Sequence, residues 1–412
     1  MRCFQLLLTC LCCAALSSPA AGDANWPRFR GPDGTGHTVE KGFPVTWDAK
    51  SVVWKTPLKG QGQSVPVIWG DRIFLTSAEE NGKQRLVICV DRKTGKVQWE
   101  QVAWKGTPEA SHAMNGWASA TCATDGEHVV ASFGKGGLHC YTVEGKHVWS
   151  RELGEFQSKT KRGTAASPVI VGNLVIQNGD SESDPFLFGI DKLTGKTIWK
   201  VDRPAREGYS TPILVPVNGK QELILNGDPF VAGYDPATGK QLWSCKSFAP
   251  RGEPTPTYAD GIIYVINGQP GDVYAVRPGG TGDVTSTRMV WHTPRKNGRD
   301  QPSPIVSGDY LLVSNMEGVL NCYDVKTGKD LWKDRISTAR ISASPVAVEG
   351  KVYFIAENGQ VIVIEPGKEL KIVAKNTQGA EPSEVFRSTP TPCGGQFFIR
   401  SDRVLYCVGA KP

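Results

Sequence analysis

The phrase Asp-x-x-Thr-Gly-Lys-x-x-Trp occurs four times in this chain, starting at Asp91, Asp191, Asp235 and Asp324 and ending at Trp99, Trp199, Trp243 and Trp332. Worn copies end at Trp149 and Trp291. A phrase that recurs at this period means that one supersecondary unit is used many times over. The unit is legible around Asp324. Residues 324–329 read as a turn, in which the Asp accepts backbone N–H groups and Gly328 takes a positive φ. Residues 319–323 before it and 330–332 after it read as strands. Upstream, 303–306 and 310–313 read as two strands around a tight turn. One unit is therefore four antiparallel strands, A to D in chain order, with the Trp in D.

The units can be counted. D strands end at Trp54, Trp99, Trp149, Trp199, Trp243, Trp291 and Trp332, spaced 41–50 residues apart, with a Trp-less eighth near 370–373. A–B hairpins start near Ser64, Ala118, Ala165, Ser210, Glu253, Gln301, Ser342 and Arg387, which also makes eight. The first D strand, 52–54, has no A-B-C set before it, and the last set, 387–408, has no D after it. Joining the two closes a ring and protects its edges. The expected fold is all-β: an eight-bladed β-propeller of four-stranded antiparallel blades, the N-terminal strand completing the C-terminal blade.

A chain of 412 residues would ordinarily suggest two or three domains. A propeller evades that rule because each blade contacts only its neighbours. The 46 Gly and 28 Pro suit many tight turns, and no linker interrupts the repeat. The expected organisation is a secretory signal over 1–22, an N-terminal extension over 23–51 and the propeller over 52–412. Arg2 supplies the charged start of the signal, 6–16 its apolar run, and Ala20-Ala21-Gly22 the small residues for cleavage. That run is too short to span a bilayer, and no later segment is long enough. The residues before Cys10 and Cys13 fit a lipoprotein signal poorly, so soluble export to the periplasm or the medium is expected. The net charge of +6, or +5 without Arg2, is mild and does not point to nucleic acid.

Seven Cys follow the signal. Cys89, Cys140, Cys322 and Cys407 occupy one place in strand C, where other blades have Gly233 or Ala275, and read as small buried fillers. Cys122, Cys245 and Cys393 have no such assignment. The odd count leaves at least one thiol free or paired with another molecule.

These residues resemble the pyrroloquinoline quinone (PQQ) repeat, whose signature Tyr-Ala-x-Asp-x-x-Thr-Gly-x-x-x-Trp is matched by Gly233-Tyr-Asp-Pro-Ala-Thr-Gly-Lys-Gln-Leu-Trp243. The resemblance runs from about Val52 to Val408. The opening Asn25-Trp-Pro-Arg-Phe-Arg-Gly-Pro32 is similar to a subset of exported bacterial propellers of this type. The resemblance implies that the Trp side chains dock one blade on the next; Trp26 lies outside the repeat, and its replacement is expected to matter less. It implies two functional classes. One is the quinoprotein dehydrogenases, with PQQ and usually Ca²⁺ in a central funnel. The other is non-enzymatic propellers such as the outer-membrane assembly factor BamB. The dehydrogenases use a Glu/Asn/Asp metal set, an Asp base, aromatic stacking on the quinone and often a vicinal Cys pair. Here the only vicinal pair, Cys12-Cys13, lies in the signal, and no local motif matches the metal set.

Other motifs favour plain readings. Gly195-Lys196-Thr197 lacks the upstream Gly of a phosphate-binding loop, Ile190 standing there, and is the C–D turn. Asp180, Glu182 and Asp184 alternate as Ca²⁺ ligands can, but Pro185 replaces the loop Gly, and a solvated hairpin tip is expected. The loop 109–117, with His112, Met114 and Trp117, either reaches the channel mouth or is an ordinary connection; the latter is expected. One pattern is harder to dismiss. Arg162, Arg206, Arg251, Arg299, Arg340 and Arg387 each lie three to six residues before a Pro of strand A, in connections that surround the channel, and Lys59 stands at the related place in the first blade. Such a ring would concentrate positive potential and favour an anionic ligand. Local pairing with Glu207, Glu253, Asp300 and Glu384 is the competing reading.

The sequence thus points to an exported, non-catalytic, monomeric propeller that binds a protein partner or an anionic ligand on one face, with no cofactor. The alternative is a PQQ-dependent oxidoreductase of a small alcohol or sugar, which would carry PQQ and Ca²⁺.

Overall fold

This computed structural model describes residues 25–410 except 157–159, 182–183, 204–207, 228, 247–253, 268–270 and 296–301; the signal segment 1–22 therefore lies outside the described residues. Eight sheets form one propeller. In the sixth blade the strands are Ile305–Ser307, Tyr310–Ser314, Val319–Asp324 and Asp330–Arg335. The turn between C and D behaves as its residues dictate. The Asp324 carboxylate accepts from Thr327 N at 2.9 Å and Thr327 Oγ1 at 2.7 Å, while Gly328 sits at φ 69°. Asp91 and Asp191 are bonded likewise to Thr94 and Thr194. Hydrogen bonds from these threonines hold the Asp191 and Asp324 carboxyls below the usual carboxylate range.

Each D strand bulges just before its Trp. Trp99 faces Cys89 but Val97 faces Val90, and the shift recurs at Trp149, Trp199, Trp243, Trp291 and Trp332. The residue opposite the Trp is Cys, Gly or Ala because the indole lies over it: a Cβ on Gly189 would come within 2.1 Å of Trp199. The indole also reaches the turn of the next blade. Trp54 lies on Gly95, Trp99 on Gly145, Trp149 on Gly195 and Trp291 on Gly328, each closer than 3.0 Å to where a Cβ would be. Its N–H donates to a carbonyl there: Trp54 to Arg92 at 3.1 Å, Trp99 to Val143 at 3.1 Å, Trp149 to Lys192 at 2.7 Å, Trp291 to Val325 at 3.2 Å and Trp332 to Gly367 at 2.9 Å.

Trp243 departs from this pattern. It is fully buried and donates to Glu222 of its own blade at 2.6 Å. The next blade lacks the turn phrase. Its C–D connection instead sends Gly282–Asp283 to pair in parallel with Trp243 and Ser244, as a fifth strand on the fourth blade. The four expected strands of that blade remain antiparallel, and this parallel strand is an addition at its outer edge. Trp199 covers Gly239 but its indole N–H has no partner among the described residues.

The ring closes as expected. Val52–Pro57 pairs with Val404–Gly409 as the outer strand of the last blade, with Trp54 opposite Cys407. The Trp-less D strand of the seventh blade is Ile372–Asn376. All seven described Cys are buried with no disulfide between any two of them, and burial pushes Cys89, Cys122, Cys140, Cys322, Cys393 and Cys407 up to about 12.

The segment before the closing strand is built into the ring. Trp26, although outside the repeat, exchanges backbone hydrogen bonds with Ile68 and is fully buried. Arg30, also fully buried, donates to the carbonyls of Thr35 and Pro304 at 2.7 Å and of Thr255 at 3.4 Å. His37 Nε2 lies 2.6 Å from Val306 O, and Gly36 O accepts from Ala347 N. Phe43 and Trp47 then pack against Phe397 at 5.3 and 5.4 Å between ring centroids. The chain thus crosses the A strands from the first blade to the seventh before it enters the eighth. Among the described residues no helix is long and apolar enough to cross a membrane.

Candidate functional site

The A strands begin with a hydroxyl residue, and five of the six that matter precede Pro168, Pro212, Pro256, Pro304 or Pro345. A following Pro restricts such a residue to extended backbone. Each hydroxyl oxygen then accepts the backbone N–H of the preceding blade. Val65 N donates to Thr121 Oγ1 at 3.0 Å, Thr121 N to Ser167 Oγ at 2.9 Å and Ser167 N to Thr211 Oγ1 at 3.0 Å. Thr211 N donates to Thr255 Oγ1 at 3.1 Å, Thr255 N to Ser303 Oγ at 3.1 Å and Ser303 N to Ser344 Oγ at 3.0 Å. Six links join seven blades into a belt around the axis. The Ser/Thr-Pro pairs were visible in the sequence; their side chains' reach into the next blade was not, because a contact between repeats leaves no local pattern.

Inside the belt lies a cavity of about 400 Å³. Phe29 of the crossing segment lines it at one end, and the D–A connections carrying His112, Met114, Arg162 and Arg387 line it at the other. No Asp or Glu is among its described lining residues. Arg30, directly after Phe29, and Arg400, beside Ser64, are both fully buried with no ion pair among the described residues. Arg400 is held by the carbonyls of Ser64 at 3.1 Å and Thr76 at 2.8 Å. Burial lowers both guanidiniums to about 9, so both stay charged at neutral pH.

Of the six expected arginines, Arg162 and Arg387 reach the cavity. Arg340 is exposed, with its Nη1 3.9 Å from the sulfur of Met114, a lining residue. Arg206, Arg251 and Arg299 lie outside the described residues, as do Glu207, Glu253 and Asp300. Arg387 pairs at 3.0 Å with Glu357, not with its neighbour Glu384, which bonds the Tyr406 hydroxyl at 2.6 Å. Lys59 does not join them; it pairs with Glu79 at 3.3 Å.

Two further expectations are corrected. The loop 109–117 does reach the mouth through His112 and Met114, although Trp117 turns away and donates to Glu109 O at 2.8 Å. Asp180 is not at a solvated tip. It is fully buried against Arg203 at 2.6 Å, which consumes the carboxylate that a Ca²⁺ site would need. Among the described residues no three His, Cys, Asp or Glu side chains stand together as metal ligands. The metal set and the acidic base of a quinoprotein site therefore have no counterpart in the described lining of this cavity.

A family model described as outer membrane protein assembly factor BamB matches residues 38–183 and 187–410. The chain is 28% identical over 75 residues to an outer membrane protein assembly factor BamB of Shewanella oneidensis, 18% of this chain and 19% of that protein; the match thus spans under a fifth of the curated relative. The structure of BamB from Moraxella catarrhalis superposes with a TM-score of 0.64 at 17% identity, covering 87% of this chain and 99% of that one. A computationally designed propeller, Ika8, superposes with a TM-score of 0.61 at 11% identity over 86% and 98%. Both are likenesses of fold.

Proposed function

This chain belongs to the family described as outer membrane protein assembly factor BamB, and on that premise we propose that it is an exported, non-catalytic propeller that binds through the face where its D–A connections open. The relatives' name supports a protein partner. The observation that carries the reading is the central cavity. It has Phe29 in its lining at one end with Arg30 beside it, is lined by hydroxyls and guanidiniums, and is bare of carboxylate among its described lining residues. The Asp base and the metal set of a quinoprotein dehydrogenase both need an acceptor of that kind. A binding site for an acidic segment or ligand does not.

Dye-linked assays with added PQQ and Ca²⁺ over a panel of alcohols and sugars test this. No turnover is expected. Turnover that chelation abolishes would replace the binding reading with that of a quinoprotein dehydrogenase.

A further inference from the structure

We propose that the hydroxyl belt is a donor collar that binds an oxyanion group, carried by a small acid or by the carboxyl end of a peptide entering along the propeller axis. The proposal deepens the binding reading above and rests on it. It begins with the direction of the belt's hydrogen bonds. A Ser or Thr hydroxyl has one proton to donate and lone pairs to accept with. In Thr121, Ser167, Thr211, Thr255, Ser303 and Ser344 the oxygen already accepts a backbone N–H from the preceding blade. None of these six hydroxyls donates to a protein acceptor among the described residues, and all six line the cavity. The belt therefore offers the axis a set of O–H donors from six successive blades, held in place by the bonds that stitch those blades together.

What such a collar lacks is an acceptor. No carboxylate is among the described lining residues, and Glu357, which pairs with the lining residue Arg387 at 3.0 Å, is also engaged by Ser342 Oγ at 2.5 Å. A ligand rich in acceptors and poor in donors fits this, and an oxyanion is the strongest acceptor available. The surrounding charge has the same sign. Arg162 lines the cavity wall, Arg30 lies beneath the Phe29 end, and Arg400 stands behind the belt with no ion pair among the described residues. In a confined polar space these fields add. A neutral sugar fits less well, because its hydroxyls would need acceptors that the wall does not present. The volume of about 400 Å³ holds a ligand the size of citrate or the last few residues of a chain.

The test uses the mature protein and two probes against sodium chloride of matched ionic strength: citrate, and an acetylated tripeptide with either a free or an amidated carboxyl end. Calorimetry and thermal shift are read together. Saturable binding of citrate, of the free-acid peptide or of both is expected, and which of them binds identifies the source of the oxyanion. The amidated peptide should not bind. Arg162→Gln should weaken binding about tenfold. Thr211→Val should weaken it several-fold while Thr211→Ser restores it, the ligand-free melting temperature of each variant showing that the ring is intact. The proposal is overturned if neither probe binds beyond chloride, if the amide binds as well as the acid, or if Arg162→Gln and Thr211→Val fold and bind as the parent does. Turnover with PQQ would remove the non-catalytic reading without touching these outcomes, so the two failures are distinguishable.

Discussion

At the scale of residues, the tryptophans are not equivalent. Trp26 and Trp243 are fully buried, one bonded across to the first blade and one turned into its own, whereas Trp332 is half-buried at the rim. Replacing either of the first two by Ala should cost roughly 3–5 kcal/mol, and the third less, because the loss scales with the apolar area and the cavity left behind. Urea midpoints decide it; a smaller loss at Trp26 than at Trp332 would show that the segment before the ring is held by something other than that side chain. A second residue sets a pH response. His139 is buried, with Nε2 2.7 Å from Gly136 O and Nδ1 2.8 Å from Ser150 Oγ. Burial depresses its pKa from 6.5 to about 4. Between those values the unfolded chain binds a proton that the folded chain refuses. The imidazole therefore costs no stability above pH 6.5 and a growing amount as the pH falls towards 4, on the order of 3 kcal/mol in all. His139→Gln should flatten that part of the acid limb. An unchanged difference between midpoints at neutral and acid pH would assign the acid sensitivity to other groups.

At the scale of elements, the blades were legible because each strand is short, alternates and ends in turn chemistry that only certain residues perform. Asp324, Thr327 and Gly328 make a turn, as do their three other copies, and the D-strand Trp series with the A–B hairpins brought the count to eight. The fifth strand at Gly282–Asp283 was not legible, since it arises where the turn phrase is missing and a longer connection finds an open edge beside Trp243. The crossing segment was not legible either. It is fixed by backbone carbonyls of Thr255 and Pro304 and by a single buried Arg30, and carbonyls leave no trace in a sequence. Of the site, the sequence showed arginines at related places and Ser/Thr-Pro pairs beside them. It showed neither that Arg387 would settle on Glu357 nor that the hydroxyls would link blade to blade.

At the scale of the whole molecule, the N-terminal stretch does two separate jobs. Val52–Pro57 completes the last blade, with Val52, Val53 and Trp54 packed on its core. Residues 25–48 span the ring beneath the cavity. Deleting 23–56 should destabilise the entire propeller, since it opens the ring and strips a ladder of backbone bonds. Deleting only 23–37 should leave the ring closed at a lower midpoint. Equal midpoints for the parent and the longer deletion would show that closure does not depend on this strand. The geometry of that crossing has one more consequence. Phe29 stands in the lining at one end, and Arg30 beside it is bonded to Pro304, so traffic through that end would have to displace a stretch tied to several blades. Traffic past Arg162 would not. A bound ligand is therefore expected to come and go on the Arg162 side, its residence time answering to changes in those connections more than to changes in the crossing segment.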